Sequence, residues 1–222
     1  EILDDEVRAV ICPDKLSSSE WLDVMKMAHE LGLKPPATIM FGHVDQPLHW
    51  ARHLKKIRDL QELTNGFTEL VPLPFVPMEA PIYLKGRARF GPTYRESILM
   101  HAVSRIVLHP VISNIQASWV KMGIDGLKDC LESGANDAGG TLMNETITRA
   151  AGAQHGQEMP ISQMIEIIKG LGRSARQRTT LYETADAKRV TAAKYAKPLT
   201  AVINAPAANY SRRNSTALTA AE

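Results

Sequence analysis

Apolar residues recur along the first part of the chain with the spacing of a helix followed by a strand. Trp21, Val24 and Ala28 fall on one helical face, after a run of serines and a glutamate that suits a helix start. Gly32 suits the helix end, and residues 37–42 form a short continuous apolar run typical of a strand buried on both faces. An amphipathic helix needs a sheet to cover, so these elements predict a βα protein.

The same alternation continues along the chain, and a capping box at Thr93 and Glu96 marks one further helix start. The alternation first predicts a helix over 50–60 that stops near 65–66, a strand over 67–73, a long connection over 74–92 and a helix from 93 that ends before 110. It then predicts a strand over 111–117, a helix over 120–131 closed by Gly134, a strand that reaches 135 and a helix from 141. The last predicted elements are a helix over 161–171 and a possible extended piece over 177–182.

Strands that alternate with crossover helices run parallel, so the predicted fold class is α/β. The regular βα units cover about 150 residues, whereas a (βα)8 barrel of the TIM type takes ~250. The pattern therefore predicts the C-terminal half of such a barrel over residues 1–184, with an N-terminal half outside this chain completing the sheet.

The composition narrows the class of protein but does not indicate a function. The chain has 222 residues, 44% of them hydrophobic and 23% charged, which is the balance of a soluble globular protein. It has no apolar run long enough to cross a bilayer and no export signal, which favours the cytoplasm and predicts no membrane partner. Cys12 and Cys130 lie far apart without a CxxC pair, so neither a disulfide framework nor a structural zinc site is predicted.

The net charge of +2 conceals a basic tail over residues 185–222. The tail is rich in Ala, Thr, Asn and Pro without apolar periodicity, which predicts a mostly disordered, flexible extension. Its basic residues are scattered, so nucleic acid is not a predicted partner. Six basic residues stand against two acidic ones: Lys188, Arg189, Lys194, Lys197, Arg212 and Arg213 against Asp186 and Glu222.

Polar residues follow or end the predicted strands, where a parallel barrel keeps its chemistry. Asn136 and Asp137 precede a glycine pair, where a ligand or an anion at a helix start is one interpretation and plain turn chemistry is the other. Asn114 and Gln116 share one face of their strand. His43 follows the first strand and is either a functional residue or a capping or loop histidine. Neutral hydrogen-bonding groups of this kind suit a polar, heteroatom-rich ligand such as a pyrimidine.

The histidines invite a metal hypothesis, which the spacing does not favour. His49 and His53 are four residues apart on one helix, but no glutamate stands beside His49 as in helical zinc motifs. A solvated pair on an outer helix is the favoured interpretation, and His101 and His109 are expected on an outer helix too. No metal ligand is therefore predicted in this chain.

Four segments together carry a resemblance to a known family, over roughly residues 1–184. They resemble the C-terminal half of the tyrosine-using subunit or domain of FO synthase, a radical S-adenosylmethionine 4-hydroxyphenyl transferase of deazaflavin coenzyme biosynthesis. Radical enzymes of the futalosine pathway have looser forms of the same strands. The segments are residues 37–43 (ATIMFGH), 66–75 (GFTELVPLPF), 114–121 (NIQASWVK) and 134–145 (GANDAGGTLMNE).

The resemblance implies a reaction and its cofactors. A [4Fe–4S] cluster cleaves S-adenosylmethionine, the resulting radical abstracts hydrogen from L-tyrosine, and the 4-hydroxybenzyl fragment adds to 5-amino-6-(D-ribitylamino)uracil. The family's CxxxCxxC motif is absent here, so the cluster ligands lie outside this chain, which should be inactive alone. A companion FO synthase subunit or fused domain is the implied partner.

Residue roles carry over only as expectations. Glu1 and His43 are expected on the S-adenosylmethionine side of the barrel rim, and Asn114, Gln116, Asn136 and Asp137 are expected to bind the uracil and the tyrosine. A different class, a non-catalytic βα domain that binds a small metabolite or a partner, would explain the missing cysteines. The sequence upstream of Glu1 would separate these hypotheses.

Overall fold

A computed structural model describes residues 2–142, 147–153, 155 and 158–196 of the chain. It is a mixed α/β structure, in which β1 (Ala37–Phe41) and β2 (Leu70–Pro74) form a parallel sheet. In the described residues no helix has the length and apolarity to span a membrane. The helices are α1 (Asp5–Ile11), α2 (Ser18–Glu30), α3 (Pro47–Thr64), α4 (Pro81–Leu84), α5 (Tyr94–Leu108), α6 (Trp119–Glu132), α7 (Ile147–Ala150), α8 (Ile161–Gly170) and α9 (Ala187–Tyr195).

The capping boxes read from the sequence form as expected. The Ser17 hydroxyl accepts from the Glu20 N–H at the start of α2, and the Thr93 hydroxyl accepts from the Glu96 N–H at the start of α5. In each box the glutamate also accepts from the backbone of the capping residue, so two free N–H groups are satisfied. Local sequence therefore fixes where these two helices begin.

The strand expected over residues 67–73 begins only at Leu70. The Gln61 side chain takes the backbone of Phe67 instead: its Oε1 accepts from the Phe67 N–H at 2.8 Å, and its Nε2 donates to the Phe67 carbonyl at 3.2 Å. Those groups are then unavailable to a neighbouring strand.

The third and fourth expected strands are present as isolated parallel bridges, Leu70 with Ile115 and Gln116 with Asp137. As at Phe67, a side chain bonds to backbone groups that a continuous strand ladder would use. Arg105 on α5 donates from Nη1 to the Ser113 carbonyl at 2.7 Å and from Nε to the Gly134 carbonyl at 2.8 Å. The strand order along the sheet is nevertheless the parallel one that the alternating pattern predicts.

One apolar cluster lies between the sheet and the helices. Ala37, Leu70 and Ile115, one residue from each of three neighbouring strand positions, pack with Leu54 and Ile57 of α3. Successive side chains of a strand point to opposite faces, so the residues that flank these three face the other, inner side of the sheet. A second cluster joins α6 to α8, and a third lies around Ile39, Phe41 and Met100.

The expectation of a solvated pair is wrong for His53, which is buried with 1% of its surface exposed. His101 lies on a helix, α5, as expected, and is also buried, with 0% exposed. His53 Nδ1 accepts the Leu3 N–H at 3.0 Å, and His101 Nδ1 lies 2.8 Å from the Ser97 carbonyl. Both rings lie on the buried faces of their helices. The i, i+4 spacing alone does not reveal which face of a helix is buried.

The C-terminal elements differ from expectation in two places. Thr141 and Leu142 are not helical, and the next four residues lie outside the described ones. The tail, expected to lack regular structure, contains α9, whose start is capped by Asp186 through bonds from the Lys188 and Arg189 N–H groups.

Candidate ligand-binding site

Asp137, at the fourth strand position, is the centre of a buried polar cluster. One carboxylate oxygen accepts from Arg178 Nε at 2.6 Å and from the Tyr182 hydroxyl, and the other accepts from the Gly139 N–H at 2.7 Å. The Arg178 guanidinium also lies 3.9 Å above the centre of the Tyr182 ring. Asp137 is only 8% exposed. Its carboxylate thus ties the C-terminal segment to the sheet.

The environment of Tyr182 keeps its phenol protonated. Burial raises the pKa of Tyr182 first, and the hydrogen bond to Asp137 and the charges of Asp137 and Glu69 raise it further, with Arg178 opposing. The protonated phenol therefore donates a hydrogen bond to the Asp137 carboxylate. Arg178 and Tyr182 were not predicted as site residues, because they lie 41 and 45 positions from Asp137 and no local motif marks them.

The side-chain amides of Asn114 and Asn136 form hydrogen bonds with backbone groups. Asn136 Oδ1 accepts from the Ile115 N–H at 2.9 Å and from Arg105 Nη2 at 2.7 Å. Asn114 Nδ2 donates to the Thr68 carbonyl at 2.9 Å, and the two amides meet at 3.5 Å. These contacts hold strand positions together, which gives both asparagines a structural role.

Gln116 is the exception among the predicted substrate residues. It pairs with Asp137 in the parallel bridge, and its side chain lies near Gly139. Among the described residues, no hydrogen-bond partner is found for its side-chain amide, which is half-buried on the inner face of the sheet. Of the four, it is the side chain with both donor and acceptor available to a ligand.

His43 lies in a separate polar group just after β1. Its Nε2 is 3.1 Å from the Met40 carbonyl, and its Nδ1 is 2.8 Å from the Val44 nitrogen and 3.0 Å from Asp45 Oδ1. Asp45 also accepts from the Gly42 N–H and from the Trp50 indole. Both ring nitrogens therefore already have partners in the chain, and a direct bond from either one to a ligand would displace a present contact.

Asp45 is buried yet strongly acidic. Burial alone would raise the pKa of Asp45, but the His43 ring and the Gly42 and Trp50 donors outweigh it and hold the pKa well below its usual range. Asp45 and Trp50 were missed by the sequence analysis. The signal that was present is a carboxylate two residues after the histidine that follows β1.

The predicted site residues form two groups rather than one rim. Ile115 is opposite Leu70, the first residue of β2, so Asn114 and Gln116 flank the level at which β2 begins. His43 instead lies two positions beyond Phe41, the last residue of β1. Glu1, the other residue expected on the cofactor side, lies outside the described residues.

The loop after β2 folds back over His43 and forms one wall of a cavity of about 300 Å³. The Arg89 N–H donates to the His43 carbonyl at 3.0 Å, and Pro92 packs so closely on Gly42 that a Cβ there would lie 2.2 Å from the proline ring. The lining is aromatic and apolar with a few polar groups, and includes Phe75, Phe90, Tyr94, Met122, Lys121 and His155.

The cysteines of this chain do not fit an iron–sulfur cluster. Cys12 and Cys130 are both buried, and burial together with the nearby Asp129 charge raises the pKa of the Cys130 thiol to about 12. A cluster needs several cysteine thiolates close together, and this chain has two cysteines 118 positions apart. Among the described residues, one group of potential metal ligands comes together, Asp4, Glu6 and His49, but Asp4 pairs with Arg52 at 3.1 Å and Glu6 is exposed.

Parallel strand pairing between crossover helices, with polar residues on one face of the sheet, defines an α/β protein. Residues 64–191 match the family model described as the CofH/MqnC C-terminal region, and the chain belongs to this family. The matched span runs from the end of α3 through the Asp137 cluster into α9.

Relatives of known name are similar over most of the chain. The FO synthase of Mycobacterium tuberculosis (strain ATCC 25618 / H37Rv) is 53% identical over 182 residues, which are 82% of this chain and 21% of that protein. The FO synthase of Streptomyces coelicolor is 49% identical over 194 residues, 87% of this chain and 22% of that protein. The 5-amino-6-(D-ribitylamino)uracil--L-tyrosine 4-hydroxyphenyl transferase of Methanocaldococcus jannaschii is 49% identical over 183 residues, 82% of this chain. The chain spans about half of this last relative, 51%, and less of the others.

Proposed function

We propose that residues 1–184 form the C-terminal half of a (βα)8 radical S-adenosylmethionine barrel. The whole protein then joins the 4-hydroxybenzyl group of L-tyrosine to 5-amino-6-(D-ribitylamino)uracil in deazaflavin coenzyme biosynthesis. The observation that carries the proposal is the 49% identity over 183 residues to the transferase of that name. A companion FO synthase subunit or fused domain, and a cytoplasmic location, belong to the same proposal.

This chain's part in the reaction is to bind and orient substrates. The free Gln116 amide donates to a carbonyl and accepts from an N–H group, which suits the edge of a uracil ring. The Asp137 cluster holds residues 178–182 against the sheet beside Gln116, which limits water there. The radical chemistry is supplied by S-adenosylmethionine and a [4Fe–4S] cluster whose ligands lie outside this chain.

The direct test is anaerobic turnover by the full-length protein with a reconstituted cluster, S-adenosylmethionine and both substrates. The expected product is the benzylated adduct, formed only when tyrosine and the ribitylaminouracil are both present, together with 5′-deoxyadenosine. Deoxyadenosine without adduct would move the assignment to a relative such as a futalosine-pathway enzyme. Neither product from a cluster-loaded protein would support the non-catalytic binding domain instead.

Gln116→Ala tests the role assigned to this chain. We expect the KM for the ribitylaminouracil to rise about tenfold, because one ligand hydrogen bond is worth about 1 kcal/mol or somewhat more. Gln163→Ala on α8 is the matched control, because that glutamine lies on a helix away from the inner face of the sheet. An unchanged KM in Gln116→Ala would remove Gln116 from the substrate site.

A further inference from the structure

Glu69 immediately precedes β2 and faces the inner side of the sheet. Its neighbour Leu70 packs with Leu54 and Ile57 in the cluster between sheet and helices. The Glu69 carbonyl accepts from the Ala37 N–H at 2.8 Å, so the parallel pairing extends to Glu69, and alternation puts its carboxyl on the opposite face, which also carries Gln116. Glu69 was not among the residues predicted to bind a ligand.

The Glu69 carboxyl is buried and incompletely satisfied. The residue is 8% exposed, and its Oε2 has no hydrogen-bond partner in the part of the chain that the structure describes. A buried carboxyl oxygen without a donor is costly, whether it is an unpaired charge or an unfilled acceptor. Such an oxygen is expected to have a donor in the working protein.

The neighbouring donors are already committed to other acceptors. Glu69 is close enough to Tyr182 to contribute to the raised pKa of that phenol, but the Tyr182 hydroxyl donates to Asp137. Arg178 uses Nε and Nη2 on Asp137 and Nη1 on the Thr179 carbonyl, 3.0 Å away. Both oxygens of Asp137 therefore have donors, whereas Oε2 of Glu69 has none among the described residues.

We propose that Glu69 is a specificity-determining residue that accepts hydrogen bonds from the N–H groups of a bound substrate. The ligand chemistry is a nitrogen-borne proton donor, either the ammonium group of an amino acid or the amine and imide groups of an aminopyrimidine. The identity of these candidates rests on the proposed function. Gln116 lies on the same face two register positions further along and supplies a neutral amide, so the two side chains together match a ligand rich in polar nitrogen and oxygen atoms.

The test compares Glu69→Gln with Glu132→Gln, an exposed control at the end of α6, in the full-length protein. Glu69→Gln keeps the shape of the side chain and replaces one acceptor oxygen by a donor. We expect the KM for one substrate to rise roughly 10- to 100-fold, with the other unchanged within a factor of about two. A change for tyrosine identifies the ammonium group, and a change for the ribitylaminouracil identifies the pyrimidine.

Thermal melting without substrates separates binding from structure. Replacing this buried carboxyl by an amide should leave the Tm unchanged or raise it, because Oε2 has no donor to lose among the described residues. A lower Tm with both KM values unchanged would overturn the proposal and would show that Glu69 pairs with another part of the full-length protein. Unchanged KM values and an unchanged Tm would overturn it too.

Direct titration distinguishes failure of this inference from failure of the proposed function. If the wild-type protein forms no adduct, the proposed function fails, and calorimetric titration with L-tyrosine and with the ribitylaminouracil still decides the role of Glu69. Wild-type affinity for either compound that weakens at least tenfold in Glu69→Gln supports the acceptor. Equal affinity in the two proteins, or none in the wild type, overturns it.

Discussion

The Arg178 guanidinium donates to the Asp137 carboxylate at 2.6 Å across 41 positions of sequence. This pair fastens the segment after α8 to the fourth strand position, and Tyr182 adds a second donor to the same oxygen. Residues 178–182 are thereby held against the inner face of the sheet.

We expect Asp137→Asn to lower the free energy of unfolding by about 3 kcal/mol. The substitution leaves Arg178, 24% exposed in its side chain, without its anion, and breaking a largely buried pair in this way is costly. Urea denaturation of both proteins measures the difference. Asp59→Asn, which removes an exposed pair with Lys55, is the control and should cost less than about 1 kcal/mol. Equal costs would show that the Asp137 pair adds nothing beyond a surface contact.

Asp45 should make stability depend on pH in acid. Its pKa is lower in the folded than in the unfolded chain, so its contribution is fully present above the unfolded value of about 4 and is lost as the pH falls through the folded pKa. We therefore expect Asp45→Asn to be destabilised at pH 7, and its difference from the wild type to shrink below about pH 4.

Melting curves at a series of pH values would check the Asp45 prediction, with the exposed Asp23→Asn as control. A difference between Asp45→Asn and the wild type that stays constant from pH 7 to about pH 3 would contradict the assignment, because it would mean that folding does not lower the pKa of this carboxyl.

Gly123→Ala should be more harmful than Gly172→Ala, although both glycines have φ of +70°. Within α6, Gly123 has ψ of −178°, a conformation that other residues rarely enter, and an added Cβ would lie 2.7 Å from His155 Nδ1. Gly172 has open space around it. We expect losses of about 3 and about 1 kcal/mol in unfolding free energy.

His155→Ala separates the two causes at Gly123. If the crowding matters, the double variant Gly123→Ala/His155→Ala should recover part of the loss, and the remainder measures the backbone strain. No recovery would assign the whole effect to the backbone. Equal losses for Gly123→Ala and Gly172→Ala would contradict the prediction.

Cys12 and Cys130 should not contribute to cluster binding. Cys12→Ser and Cys130→Ser are expected to leave the iron content of the reconstituted full-length protein unchanged, although Cys130→Ser should lower its Tm because the thiol is fully buried. In the native protein, Cys130 should react with iodoacetamide far more slowly than after denaturation, since the raised pKa and the burial both suppress the thiolate. Loss of iron in either variant would contradict this account.

Local sequence was sufficient for the elements that local contacts hold. The boxes at Ser17 and Thr93 fixed helix starts, and the apolar run at residues 37–42 fixed β1. The third and fourth strands were predicted at the right positions, but they form isolated bridges instead of continuous ladders. The reason is that Arg105 and Asn136 bond to backbone groups that the pattern assigned to a strand ladder. The α9 helix was missed because one capping residue, Asp186, outweighs a composition typical of disorder.

The sequence by itself determined the α/β class, the parallel order of the strands and the family, because periodicity and motif order are properties of neighbouring residues. The tertiary structure alone decided which polar side chains remain free. Asn114, Asn136 and Asp137 bond to the backbone or to residues distant in sequence, whereas within the described part of the chain Gln116 has no side-chain partner and Glu69 keeps an open acceptor. Whether a side chain can meet a ligand depends on the hydrogen bonds it has already made, and those partners come together only when the chain folds.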